Sequence, residues 1–78
     1  MAKAFVFINV EPGSEKEVLE RLREVPEVKE SYFVYGVYDI VAKVETASMN
    51  RLKEVITWKV RKLDKVRSTL TTIVMEGK

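Results

Sequence analysis

Two kinds of apolar pattern alternate along the chain, one typical of strands and one typical of helices, and together they predict four strands and two helices. Apolar residues that favour strands occur in runs bounded by Gly, Pro or charged positions. Between these runs, two segments repeat an apolar residue every three or four positions, as an amphipathic helix does. The predicted order is therefore βαββαβ, with strands over residues 4–10, 28–35, 37–45 and 66–76, and helices over about 14–23 and 47–63.

The ends of the predicted helices carry start and stop signals. Ser14 and Glu17 match a capping box, in which each side chain bonds the backbone N–H of the other residue. Pro26 ends this first helical segment. Thr46 or Ser48 is expected to cap the second helix. That helix presents one apolar stripe, which consists of Met49, Leu52, Ile56, Val60 and Leu63.

The element order predicts an α+β, ferredoxin-like fold with a four-stranded antiparallel sheet. Right-handed crossovers place both helices on one face of that sheet. Phe5 and Phe7 point to one side of the first strand, and Val6 and Ile8 point to the other. Because both faces are apolar, we expect a second subunit to cover the face without helices, giving a dimer of the dimeric α/β-barrel type. The alternative is an exposed apolar face that promotes aggregation.

Composition excludes several functions. The 78 residues, expected to form a single domain, contain no Cys and no His, so the commonest metal ligands and the usual general base are missing. No catalytic motif, cofactor site or metal site is predicted, and an enzyme is not expected. No apolar run is long enough to span a membrane, and no signal peptide is evident, so we expect a cytoplasmic protein.

Charge is uneven although the net charge is only +2. Residues 51–67 contain 7 basic and 2 acidic side chains, a net charge of +5. A solvated helix face explains this pattern, and charge complementarity between subunits is the functional alternative.

Trp58 lies opposite the apolar stripe of the second helix. Its ring either covers Lys or Arg stems of the same helix or forms part of a second interface.

Asp39 is the main candidate for binding chemistry, because it is a carboxylate between Tyr38 and Ile40 in an apolar stretch. It either opens to solvent, holds backbone N–H groups or binds a cationic ligand. Thr69 and Thr71 share one face of the last strand, where a hydroxyl can donate and accept. A carboxylate, hydroxyls and the N–H groups near a glycine are the groups that a zwitterion requires.

Residues 35–44 (Tyr-Gly-Val-Tyr-Asp-Ile-Val-Ala-Lys-Val) are similar to the Gly-x-Tyr-Asp turn and following strand of the Lrp/AsnC effector domain, also called the RAM domain. Residues 66–75 resemble that domain's last strand, with threonines before an aliphatic end. With the element order, the resemblance covers nearly the whole chain. Full-length members carry an N-terminal helix-turn-helix, whereas this chain begins with the first strand. The resemblance is thus to a stand-alone RAM module without direct DNA binding.

The resemblance implies homodimers that assemble into octamers or decamers, with an amino-acid effector bound between dimers. A stand-alone module of this kind could bind an amino acid alone or co-assemble with full-length regulators. The implied ligand-binding residues are Tyr35, Gly36, Val37, Tyr38 and Asp39 in the loop, and Thr69 and Thr71 in the last strand. Two alternatives remain: a small dimeric enzyme of the cofactor-free monooxygenase type, using Asn9, Tyr32 or Asp39, and an adaptor that only assembles with a DNA-binding relative.

Overall fold

The computed structural model describes residues 1–77 and confirms the predicted fold. The four strands form one sheet in the order β2-β3-β1-β4, and all neighbouring strands are antiparallel. This is the ferredoxin-like arrangement. The elements are β1 (Ala2–Val10), α1 (Glu15–Arg23), β2 (Val28–Phe33), β3 (Ile40–Thr46), α2 (Met49–Val55), a π-helical turn (Ile56–Val60) and β4 (Val66–Ile73).

The core lies between the sheet and the helices and is aliphatic. Alternate residues of the two central strands point into it, because successive strand side chains face opposite sides. These residues meet the inner faces of α1, α2 and the π turn. The buried set is Ala4, Val6, Ile8, Val10, Val18, Leu22, Ile40, Ala42, Val44, Leu52, Val55, Ile56 and Val60.

The second helix buries most of the predicted apolar stripe, but not its first residue, and the helix ends in a π turn. Met49 is 38% exposed and lies outside the core, whereas Val55 is fully buried. The Arg61 N–H bonds the carbonyl of Ile56, five residues earlier, at 2.9 Å. Val55 follows Leu52 by three positions and Val60 follows Ile56 by four, so both lie on the inward stripe.

The two predicted helix caps have different outcomes. Ser48 is extended, with φ −138° and ψ 158°, and its Oγ accepts the Arg51 N–H at 3.2 Å. Thr46 instead donates its hydroxyl to the Ser48 carbonyl at 2.6 Å. The capping box at Ser14 is wrong. Its backbone (φ −103°, ψ 9°) is not extended, and its side chain makes no capping hydrogen bond.

The connection between β2 and β3 is longer than the sequence predicts. The two strands pair as a hairpin, but β2 ends at Phe33 and β3 begins at Ile40. Residues 34–39 therefore form a loop rather than a tight turn at Gly36. The Val34 N–H bonds the Asp39 carbonyl at 2.8 Å and closes the base of this loop. The last strand is shorter than predicted and ends at Ile73.

The sheet face without helices is apolar at its centre. Phe7 lies opposite Val41 on one side and Leu70 on the other. Phe5 and Leu70 are partly exposed, at 36% and 49%. Toward the start of β1, ionic side chains cover the same face, where Lys43 pairs with Glu30 at 3.1 Å and Glu45 at 3.4 Å. This face therefore combines an uncovered apolar centre with a charged end.

Candidate functional site

A cleft beside Asp39 lies where β1 ends and β3 and β4 begin. It has a volume of about 480 Å³. A register shift between Asn9 and Val10 interrupts the pairing of β1 with β4 at this point. Such irregularities re-aim side chains at the ends of strands. The cleft is lined by Asn9, Val10, Pro12, Asp39, Arg67 and Ser68.

Asp39 is fixed by three backbone hydrogen bonds. Its Oδ2 accepts the Val10 N–H at 3.0 Å. Its own N–H donates to the Ile8 carbonyl at 3.0 Å, and its carbonyl accepts the Val34 N–H at 2.8 Å. The pairing of β1 with β3 ends at Ile8 and Ile40. Beyond that pair, the Asp39 carboxylate is the acceptor for the backbone N–H of Val10. Of the three roles considered for this carboxylate, the structure shows the one that holds a backbone N–H.

One carboxylate oxygen remains for a ligand. Within residues 1–77, Oδ1 of Asp39 accepts no hydrogen bond. The Asn9 amide donates to the Ser68 hydroxyl at 3.4 Å. The exposed guanidinium of Arg67 lines the same cleft and forms no ion pair within the described residues. The cleft therefore presents a negative group, a positive group, an amide and a hydroxyl to one small volume.

The other predicted loop residues lie outside this cleft. Tyr35 and Val37 are almost wholly exposed, at 106% and 85%, on either side of Gly36. Tyr38 packs on Phe7 of the face without helices, with ring centroids 5.7 Å apart. The loop therefore presents large apolar side chains to solvent in a single subunit.

Thr69 and Thr71 share one face of β4, as predicted, but they are separated from Asp39. Thr69 pairs with Ile8, and Ile8 pairs with Ile40 at the start of β3. Neighbouring strands are about 4.8 Å apart, so Thr69 lies roughly 10 Å from Ile40, the residue that follows Asp39. Neither threonine lines the cleft. Within one subunit, the structure brings Asp39 to Asn9, Arg67 and Ser68 instead.

Of the three cleft residues that the sequence did not predict as ligand-binding, only Asn9 could have been recognised from its local sequence. Asn9 is the polar position within an otherwise apolar strand end, and such a residue requires hydrogen-bond partners when it is partly buried. Arg67 and Ser68 carry no comparable signal. Their proximity to Asp39 depends on the antiparallel register of β1 with β4.

Other types of site are not found in the described residues. Residues 1–77 contain no group of His, Cys, Asp or Glu that could hold a metal ion. The space between sheet and helices is filled with aliphatic side chains, so this part of the chain offers no deep polar pocket of the kind the monooxygenase alternative requires. No helix among these residues has the length and hydropathy needed to cross a membrane.

Glu27 is the centre of an ion-pair cluster that joins the segment after α1 to α2. Its Oε2 accepts from Arg51 at 2.9 Å, and its Oε1 lies 3.6 Å from the Lys59 ammonium. A hydrogen bond with its own backbone, and then the bond from Arg51, hold the pKa of Glu27 below its usual value of 4.5. Because Lys59 belongs to the π turn, this cluster links that turn to the segment after α1.

A family model described as the Lrp/AsnC ligand binding domain matches residues 3–77. The chain belongs to the Lrp/AsnC family. Over 75 residues it is 36% identical to an uncharacterized HTH-type transcriptional regulator of Pyrococcus abyssi, and the match covers 96% of this chain and 48% of the regulator. The chain spans about half the length of the curated relatives it matches.

Two solved structures support this membership of the Lrp/AsnC family. FFRP-DM1 is 44% identical, with a TM-score of 0.92, and the match covers 96% of this chain and all of that one. The leucine response regulatory protein of Mycobacterium tuberculosis is 30% identical, with a TM-score of 0.81, over 97% of this chain and 51% of its own. The fold is therefore that of Lrp/AsnC ligand-binding domains, found alone in FFRP-DM1 and within a longer chain in the leucine response protein.

Proposed function

We propose that this protein is a self-assembling regulatory module that binds an amino-acid effector and has no catalytic activity of its own. The observation that carries the proposal is the pair of opposite charges, Asp39 and Arg67, in one cleft of a Lrp/AsnC ligand-binding domain. A free amino acid carries the complementary pair of charges. The name of the leucine response regulatory protein points to the same class of ligand.

The proposed ligand lies across the end of β1. Its ammonium group binds Oδ1 of Asp39, because Oδ2 is already engaged by the Val10 N–H. Its carboxylate binds the guanidinium of Arg67 and the hydroxyl of Ser68, which are donors suited to an anion. Both contacts use groups that line the cleft in the free subunit.

The predicted loop residues complete this site from outside. Tyr35, Gly36 and Val37 form the exposed tip of the loop, and water covers their apolar surface in a single subunit. We propose that a neighbouring subunit covers this tip and closes the cleft. Thr69 and Thr71 lie on the edge strand β4 and would contribute hydroxyls across such a contact. The site is then shared between subunits.

The proposed assembly begins with a homodimer through the sheet face without helices. The apolar centre around Phe5, Phe7 and Leu70 is the surface that a second sheet would bury. Higher assembly into octamers or decamers would use the loop tip. We propose that the module acts on DNA in the cytoplasm through full-length HTH-type relatives with which it co-assembles.

A thermal-shift screen with the twenty amino acids, followed by calorimetry, tests effector binding. At least one amino acid should raise the melting temperature, since a ligand that binds only the folded state stabilises it. Arg67→Ala should weaken that binding by about tenfold or more, and Lys53→Ala, an exposed residue of α2, is the matched control. No shift with any amino acid would refute the sensor. Capture of a full-length relative under those conditions would favour the adaptor.

A further inference from the structure

A second cleft lies between the end of α1 and the π turn, on the side of the molecule away from the sheet. It has a volume of about 350 Å³. Trp58, the one tryptophan of the chain, forms its rim and is 67% exposed. Val25, Pro26 and Leu63 supply apolar surface, and Arg21, Lys59 and Lys62 supply positive charge.

The π turn is what presents Trp58 to solvent. The turn over Ile56–Val60 directs Ile56 and Val60 into the core and leaves Trp58 on the opposite side. The Lys62 ammonium lies 5.5 Å from the centre of the indole ring. This contact was one of the two alternatives considered from the sequence. It covers part of the ring by a cation–π interaction but leaves most of the side chain accessible.

The cations around Trp58 differ in their availability. Lys59 is held by Glu27 at 3.6 Å. Arg21 and Lys62 form no ion pair with any acid within residues 1–77. Two unpaired cations therefore flank an exposed indole and an apolar floor, and Glu24 is the acidic residue of the cleft. An exposed aromatic ring with neighbouring positive charge is the composition of an interaction hot spot.

We propose that this cleft binds an acidic segment of a partner protein in which an apolar or aromatic side chain lies between carboxylates. The apolar side chain would pack on Trp58 and Pro26, and the carboxylates would pair with Arg21 and Lys62. Nucleic acid is disfavoured, because its affinity depends on neutralising many phosphates. Here Arg51 and Lys59 are already paired with Glu27, and among residues 1–77 the cleft is lined by two cations without an ion pair, Arg21 and Lys62.

The experiment uses the full chain and an array of seven-residue peptides with a central Phe, Leu or Ser between flanking Glu, Lys or Ser residues. Fluorescence anisotropy of labelled peptides measures their affinity, since the emission of the one tryptophan is lost in Trp58→Ala. Binding should require flanking Glu and a central Phe or Leu. It should also weaken with added salt, since the ion pairs are exposed. Trp58→Ala and the double variant Arg21→Glu, Lys62→Glu should each reduce affinity by about tenfold or more.

Lys53→Glu is the matched control, because it reverses one charge on the same basic segment outside the cleft. It should change affinity by less than about threefold. Equal binding of Lys-flanked peptides, unchanged binding by Trp58→Ala, or no acidic peptide bound would overturn the proposal. Tighter binding of single-stranded DNA than of any peptide would assign the cleft to nucleic acid. A smaller assembly for Trp58→Ala in light scattering would assign it to a second copy of this chain.

Discussion

The hydrogen bond from the Val10 N–H to the Asp39 carboxylate gives a quantitative prediction that is independent of any ligand. Val10 is only 4% exposed, and its N–H has the Asp39 side chain as acceptor at 3.0 Å. Asp39→Ala removes that acceptor and leaves a buried donor unpaired. Asp39→Asn keeps an oxygen in the same position and removes only the charge.

The expected costs of the two substitutions differ. Leaving a buried donor without a partner costs about 1–3 kcal/mol. Because Asp39 is only half-buried, water can enter beside Val10, and we expect about 1–2 kcal/mol for Asp39→Ala. Asp39→Asn should cost less than about 1 kcal/mol, since a neutral bond replaces a charge-assisted one. In a domain of this size, the loss expected for Asp39→Ala corresponds to a fall in Tm of about 4–16 °C.

Urea denaturation at one fixed protein concentration measures these differences, since association of subunits also contributes to apparent stability. Asp64→Ala, which removes an exposed carboxylate near the start of β4, is the control and should change stability by less than about 0.5 kcal/mol. If Asp39→Ala is as stable as this control, the carboxylate does not hold β1. Equal losses for Asp39→Ala and Asp39→Asn would show that charge, rather than the bond, is what matters.

Three further predictions test the assembly, the ion-pair cluster and the helix caps. Leu70→Glu places an unpaired charge on the face without helices and should reduce the mass measured by light scattering while circular dichroism is unchanged; an unchanged mass would refute the sheet-to-sheet dimer. Glu27→Gln should lower stability by about 0.5–1 kcal/mol at neutral pH in urea denaturation, since its partners Arg51 and Lys59 are half-exposed. Because the folded-state pKa of Glu27 is depressed, its contribution is present above 4.5 and is lost as pH falls through the folded value, so wild type and variant should converge in acid; a constant difference would contradict this. Ser48→Ala should cost about 1 kcal/mol in thermal denaturation, whereas Ser14→Ala, which removes no capping bond, should cost less than about 0.3 kcal/mol; equal costs would refute the assignment of the caps.

The fold could be predicted from local sequence patterns because the strands and helices of this chain show the spacing of apolar residues that is typical of each. The run from Ala4 to Val10 alternates between core and outer face as β1 does, and Pro26 follows α1. The errors arise where tertiary contacts determine which residues are buried and where a strand begins. Met49 is in the first turn of α2 and stays outside the core, whereas Val55, three positions after Leu52, faces inward. The loop after Phe33 is longer than a glycine turn because Asp39 bonds β1 rather than starting β3.

The candidate site could be predicted only in part, for a related reason. Asp39 stood out because a carboxylate in an apolar stretch requires a partner. That partner is Val10, 29 residues earlier, and the cation of the cleft is Arg67 on the opposite side of β1. No local period relates these three positions. The pairing register of the sheet brings them together, and the register is known only once the fold is known.

The antiparallel pairing of β1 with β4 has a consequence for communication over distance. Ala4 near the start of β1 lies beside Ile73 at the end of β4, so the first and last strands begin and end at the same edge of the molecule. The cleft at Val10 lies at the other end of β1, about 26 Å from Ala2 at 3.3 Å per residue. A domain joined before Ala2 would be attached at the end of β1 opposite this cleft. A ligand in the cleft would act on such a domain through the strands between them or through a change in how subunits pack.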